Sequence, residues 1–147
     1  MKIVLESPLR APDRDGFLRN ILYAAWCSRV LTLNGHTVWA SHLYAPHFLD
    51  DRVPDERGRG MSLTDAFTDD SWSHVFATDH GTSSGMRWAE GRYAARQLFD
   101  LSLAHGYFEA RYGCLSKDLI GHKDAWVAIE RGEWPPCTPG FALGGVR

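Results

Sequence analysis

The stretch Val75-Phe76-Ala77-Thr78-Asp79-His80-Gly81-Thr82-Ser83-Ser84-Gly85-Met86 decides how the chain is read. A short apolar run ends in an aspartate. A turn rich in Gly, Ser and Thr follows, and then an amphipathic segment that carries Glu90. This is the order strand, turn, helix start. Such turn residues let backbone N–H groups and hydroxyls close around a phosphate or a sugar. Ligands of open α/β sheets bind at the carboxyl ends of strands, so this stretch marks the working edge.

Upstream, Lys2-Ile3-Val4-Leu5 reads as a short buried strand. The turn from Glu6 to Asp13 contains Pro8 and Pro12, which disfavour further pairing. From Asp15 to Leu33 the apolar residues recur at helical spacing, and Asn34-Gly35 is a helix stop. Thr37 to His42 reads as a second strand, giving strand–helix–strand with a connection that suits a parallel crossover. Residues 44–56 read as a loop, and Asp55 to Thr68 opens a second helix. Ser73–Thr78 is the third strand. Ser84–His105 is expected as the longest helix, stopped by Gly106, with a fourth strand at Tyr107–Tyr112 and a short helix at Lys123–Arg131.

Alternating strands and helices imply an α/β fold. The expectation is a three-layer α/β/α Rossmann-like sandwich with a mainly parallel sheet of four or five strands. One domain spans residues 1–134, followed by a Pro/Gly-rich tail at 135–147 expected to be irregular.

The 147 residues suffice for one domain with a sizeable core. A formal net charge of −2 gives no basic surplus for bulk nucleic acid or an acidic membrane surface. No apolar run is long enough to span a bilayer, and the N-terminus lacks the pattern of a signal peptide. Cys27, Cys114 and Cys137 are odd in number and widely spaced, which reads as reduced thiols in a cytoplasmic protein. Neither the cysteines nor the seven histidines show metal-ligand spacing.

Three strand ends carry the candidate chemistry. Ser7-Pro8-Leu9-Arg10 offers a hydroxyl and a guanidinium for a phosphate or carboxylate. Ser41 and His42 close the second strand, where the imidazole suits acid, base or base-recognition roles. The loop Asp50-Asp51-Arg52-Val53-Pro54-Asp55-Glu56-Arg57 offers acids for sugar hydroxyls and Arg57 for a phosphate, or is simply a solvated charge cluster. At the third strand, Asp79 ends the run and Gly81, Ser84 and Gly85 permit close backbone approach. Glu90 follows on the helix, as a nucleophile toward an anomeric carbon, a base for water, or an exposed helix acid.

On these residues the chain resembles the nucleoside 2-deoxyribosyltransferase-like superfamily of small Rossmann-like proteins. The likeness is to a branch found in bacteriophages and actinobacteria. It rests on Ser7-Pro8, Asn20 with Tyr23-Ala24, Ala40-Ser41-His42-Leu43, Leu49-Asp50-Asp51, Pro54-Asp55-Glu56-Arg57, Asp79, and Ser83-Ser84-Gly85-Met86. It spans about residues 2–112.

The resemblance implies cleavage of the bond between base and (deoxy)ribose, with transfer of the sugar to another base or hydrolysis of a nucleoside monophosphate. Its enzymes attack C1′ with a glutamate four residues after the glycine of the turn. Here Glu90 comes five after Gly85, and one residue turns a helical side chain by about 100°. Glu56 is therefore the second carboxylate candidate.

Catalytic roles accordingly fall to Glu90, Glu56 and Asp79, and substrate contacts to Ser7, Pro8, Arg10, Asn20, Ser41, His42, Asp51, Arg57, Gly81, Ser84, Gly85 and Met86. No metal or redox cofactor is required. The implied ligand is a nucleoside or nucleotide, and a homo-oligomer is the default. The competing readings are a nucleotide-binding protein without turnover, such as a viral protein in host cytoplasm that sequesters a cyclic ADP-ribose-type signal, and an interaction protein using Trp26, Trp39, Trp88 and Trp126.

Overall fold

The computed structural model describes residues 1–102. Strand β1 (Lys2–Glu6) leads through a loop to helix α1 (Arg14–Leu33) and strand β2 (Thr37–Trp39). A single helical turn, α2 (Ser41–Tyr44), and a 3-10 turn (Ala45–His47) precede α3 (Pro54–Phe67). Strand β3 (Ser73–Ala77), helix α4 (Ser84–Arg92) and strand β4 (Leu98–Leu101) complete this part. The four strands form one parallel sheet in the order β2-β1-β3-β4. The α/β architecture expected from the sequence is present. Among the described residues no helix is long and apolar enough to cross a membrane.

Successive strand side chains point to opposite faces, and the two faces receive different helices. Ile3, Leu5, Val75, Ala77 and Leu101 pack with Leu22, Tyr23, Trp26, Val30 and Leu31 of α1. The intervening Phe76, with Leu98, packs with Met86, Ala89 and Tyr93. Helix α1 thus lies on one face and α4 on the other. Helix α1 starts at Asp13, whose carboxylate accepts from the Gly16 N–H at 2.7 Å. It stops where Gly35 takes a φ of +85°, as Asn34-Gly35 predicts. On α3, Gly60 allows close approach to Ala45; a Cβ there would meet the Ala45 methyl at 3.3 Å.

Three expectations are corrected. The helix expected over 84–105 ends at Arg92, and residues 98–101 form β4 against β3. Periodicity cannot tell a short apolar run such as Leu98-Phe99 from a buried helical segment. The chain turns back because Tyr93 is anchored: its ring stacks on His74 of β3 at 4.2 Å. Arg96 then donates to Thr68 Oγ1 at 3.1 Å. The second strand stops at Trp39, and Ser41-His42 belong to a helical turn, so the imidazole enters the molecule from α2. The expected loop 44–56 contains the 3-10 turn, and α3 already begins at Pro54. The strand expected at 107–112, the helix at 123–131 and the tail at 135–147 lie outside the described residues.

Leu5 is 1% exposed at the centre of the α1 face. Leu5→Ala is expected to cost about 2–5 kcal/mol, read as a lower urea midpoint at unchanged slope.

Candidate functional site

In the order β2-β1-β3-β4 the connection from β1 leaves toward β2 and that from β3 leaves toward β4 on the opposite side, so the crevice between the carboxyl ends of β1 and β3 is a topological switch point. A pocket with a cavity volume of about 100 Å³ opens there. Its walls come from the end of β1, from α2, from α3, and from the first turns of α4. Ten of the residues singled out by sequence line it: Ser7, Arg10, Ser41, His42, Asp51, Glu56, Arg57, Ser84, Gly85 and Met86.

The N-terminus of α4 forms one wall. Ser83 caps it by accepting from the Met86 N–H at 3.2 Å, while Met86 Sδ accepts from the Ser83 N–H at 3.4 Å. The Ser84 and Gly85 N–H groups lie in the first turn, where helices leave donors without an intrahelical partner. The Arg57 guanidinium lies beside them: a Cβ on Gly85 would sit 3.6 Å from Arg57 Nη2. Arg57 Nη1 donates to Asp51 Oδ1 and Oδ2 at 2.6 and 2.7 Å. Arg10 Nη2 donates to the Asp51 carbonyl at 2.8 Å, and its Nε lies 3.4 Å from Asp51 Oδ2. Two guanidiniums on one carboxylate leave one positive charge in surplus around Asp51, while Glu6 and Glu56 line the pocket elsewhere. With the helix dipole, this favours an anion.

A neutral pair faces it. Ser7 Oγ and His42 Nε2 share a buried hydrogen bond of 2.8 Å. Burial pushes the His42 imidazole down to about 4, so it is uncharged at neutral pH.

The sequence reading missed the carboxylate at the floor of the pocket. Glu6 is the last residue of β1 and shares a face with Val4, opposite Leu5, which puts it under the crevice. Its Oε1 accepts from His74 Nδ1 at 2.9 Å. Arg96 Nη1 lies 3.2 Å from His74 Nε2, and a guanidinium only donates. Nε2 is therefore the acceptor, and the proton on Nδ1 goes to Glu6. Burial raises the Glu6 carboxyl above its ordinary range, while the His74 hydrogen bond lowers it in part. Strand parity was the signal that could have found Glu6. Thr64, Met61, Trp88 and Tyr93 also line the pocket and were not anticipated.

Five expected residues are not among those lining it. Asp79 accepts from the Tyr23 hydroxyl and, at 2.7 Å, from Ser102 Oγ, on the α1 side of the sheet. Asn20 Nδ2 donates to the Leu9 carbonyl at 3.1 Å and holds the loop after β1. Pro8 is buried within that loop. Gly81 makes a turn at a φ of +84°, its N–H on the Thr78 carbonyl at 2.8 Å. Glu90 lies one position beyond the lining; the residue four after Gly85 that does line the pocket is Ala89. Glu56 reaches the rim, where its Oε2 accepts from the Asp50 N–H at 2.7 Å.

The depressed His42 has a signed consequence. The unfolded chain takes up a proton below about 6.5, while the folded protein does so only near 4. The wild type should therefore lose stability relative to His42→Gln as pH falls through that window, by about 3 kcal/mol at most. Urea midpoints of both proteins at pH 4, 5.5 and 7 check this.

A family model described as a domain of unknown function, DUF7768, matches residues 1–101, which include every residue lining the pocket. No curated protein and no solved structure matches the chain. The chain belongs to the DUF7768 family.

Proposed function

We propose that the pocket takes a nucleoside monophosphate or a closely related phosphorylated nucleoside, and that the protein acts on its N-glycosidic bond. The observation that carries this reading is the convergence of Arg57, Arg10 and the first turn of α4 on the pocket that also holds the partly buried carboxylate of Glu6. The guanidiniums and free helix N–H groups suit a phosphate. Ser7 and the neutral His42 suit a hydroxyl of the sugar or an edge of the base, since neither brings a charge that a neutral nucleoside would leave unpaired. A carboxylate suits the positive charge that develops on the sugar as the glycosidic bond breaks. The resemblance to nucleoside 2-deoxyribosyltransferase-like proteins points the same way.

One observation favours a second reading, a nucleotide-binding protein without turnover. Ala89 stands at the pocket-lining position where the resembled enzymes carry their glutamate.

The test combines base release by liquid chromatography with thermal shift, across nucleosides, nucleoside monophosphates and dinucleotides. The expected result is a thermal shift by a 5′-phosphorylated ligand, with free base from the same compound. Arg57→Met is expected to weaken that binding at least about tenfold. A shift without base release leaves the binding reading. No shift by any phosphorylated compound, or an undiminished one in Arg57→Met, overturns the phosphate assignment.

A further inference from the structure

We infer that Glu6 is the catalytic carboxylate of this pocket, a general base held in place by a buried His74–Arg96 pair that acts only as its positioning device. The inference rests on the glycosidic reading above and names the residue that performs the step.

The pocket is lined by three carboxylates, Glu6, Asp51 and Glu56. Asp51 is held by two arginines. Glu56 is on the rim, with Oε2 on the Asp50 amide. Glu6 is different. It projects from the central strand on the pocket face, and only its Oε1 is engaged: Oε2 accepts no hydrogen bond among the described residues.

The support behind it is unusually specific. His74 is 0% exposed and sits between Glu6 and Arg96. Its ring is stacked on Tyr93, which Arg96 covers from 4.7 Å. Arg96 is itself held by Thr68 Oγ1 at 3.1 Å. The guanidinium fixes the imidazole tautomer with its proton on Nδ1, and that proton fixes one oxygen of Glu6. The other oxygen is left for chemistry, in a site whose burial makes the carboxylate a better base than it is in water.

The step balances without a further reagent. Glu6 Oε2 takes a proton from a water molecule as that water's oxygen bonds to C1′. The C1′–N bond breaks, and its electron pair leaves on the base nitrogen. The base takes up a proton, and Glu6 releases the one it received, so the sum is sugar hydroxyl plus free base.

The titratable and charged groups around Glu6 are His74 on β3, Arg96 before β4, His42 on α2, Glu56 and Arg57 on α3, and Tyr93 at the end of α4. His74 is the one that hydrogen-bonds it. Removing that bond raises the Glu6 carboxyl further, so the acid limb of kcat/KM moves to higher pH.

The experiment compares wild type, Glu6→Gln, His74→Phe and Glu90→Ala on the compound that gives the largest thermal shift. Base release and binding are both read, with kcat/KM from pH 4.5 to 8. Glu6→Gln is expected to keep the thermal shift and to lose release at least about 100-fold. His74→Phe is expected to retain some release, with its acid limb displaced upward. Should Glu6→Gln fail to fold, that displacement alone decides. Release in Glu6→Gln within threefold of a measurably active wild type, or an unmoved acid limb in His74→Phe, overturns the role of Glu6 and leaves the glycosidic reading standing. Loss confined to Glu90→Ala gives the role to the helix instead. A wild type that binds a nucleotide yet releases no base overturns both the glycosidic reading and this role.

Discussion

The position of β1 inside the sheet is the constraint from which the rest follows. It pairs with β2 on one side and β3 on the other, both in parallel. The connection from β1 to β2 carries α1 across one face, and the connection from β3 to β4 carries α4 across the other. Two connections leaving one edge of the sheet in opposite directions cannot close over the strand ends between them. The opening they leave is the pocket. Its floor is then set by strand parity alone: Leu5 goes to the α1 core, and Glu6 is left facing the crevice.

A carboxyl group in that position needs compensation, because a buried ion is costly unless paired and hydrogen-bonded. The polar groups on the same face supply it in series. His74 serves Glu6, Arg96 serves His74, and Thr68 accepts from Arg96 while donating its own hydroxyl proton to the Thr64 carbonyl at 2.7 Å. Tyr93 closes the side of the series with its ring and sends its hydroxyl to Asp65 Oδ1 at 2.7 Å. An apolar set of similar volume would pack there at no desolvation cost. That the interior spends polar residues on holding one oxygen of Glu6 argues for a use of the other.

Much of this was legible in the sequence, and the parts that were not have physical reasons. Strand β1, helix α1 and strand β3 carry periodic or continuous apolar signals, and Asn34-Gly35 and Ser83 mark a helix end and a helix start by their own local chemistry. The pocket residues Ser7, Arg57, Ser84 and Gly85 were legible because strand ends and helix starts meet at one edge in parallel sheets. Strand β4 was not, because its state depends on β3 offering an open edge and on Tyr93 being tied to His74, both contacts across the sheet. Glu6 was misread as the first residue of a turn. Its place in the strand depends on the pairing Glu6↔Phe76, which nothing near it in sequence reveals. Asp79, expected to end its strand, lies two residues beyond the end of β3 at Ala77, and it is claimed by Tyr23 from α1, a partner far away in the chain.

The phase of α4 explains why its carboxylate does not reach the pocket. Met86, Ala89 and Tyr93 are spaced i, i+3 and i+7, and all three are buried against Phe76 and Leu98. The cap from Ser83 to the Met86 amide locks the start of the helix in the same phase. Bringing Glu90 inward needs a rotation of about 100°, which would carry Met86 and Tyr93 out of the core. Full burial of a side chain such as Met86 is worth roughly 1.5–3 kcal/mol, so the packed helix resists that rotation more strongly than one polar contact could drive it. The same phase that turns Glu90 away sets the small side chain of Ala89 in the lining, leaving room above the strand floor where Glu6 stands.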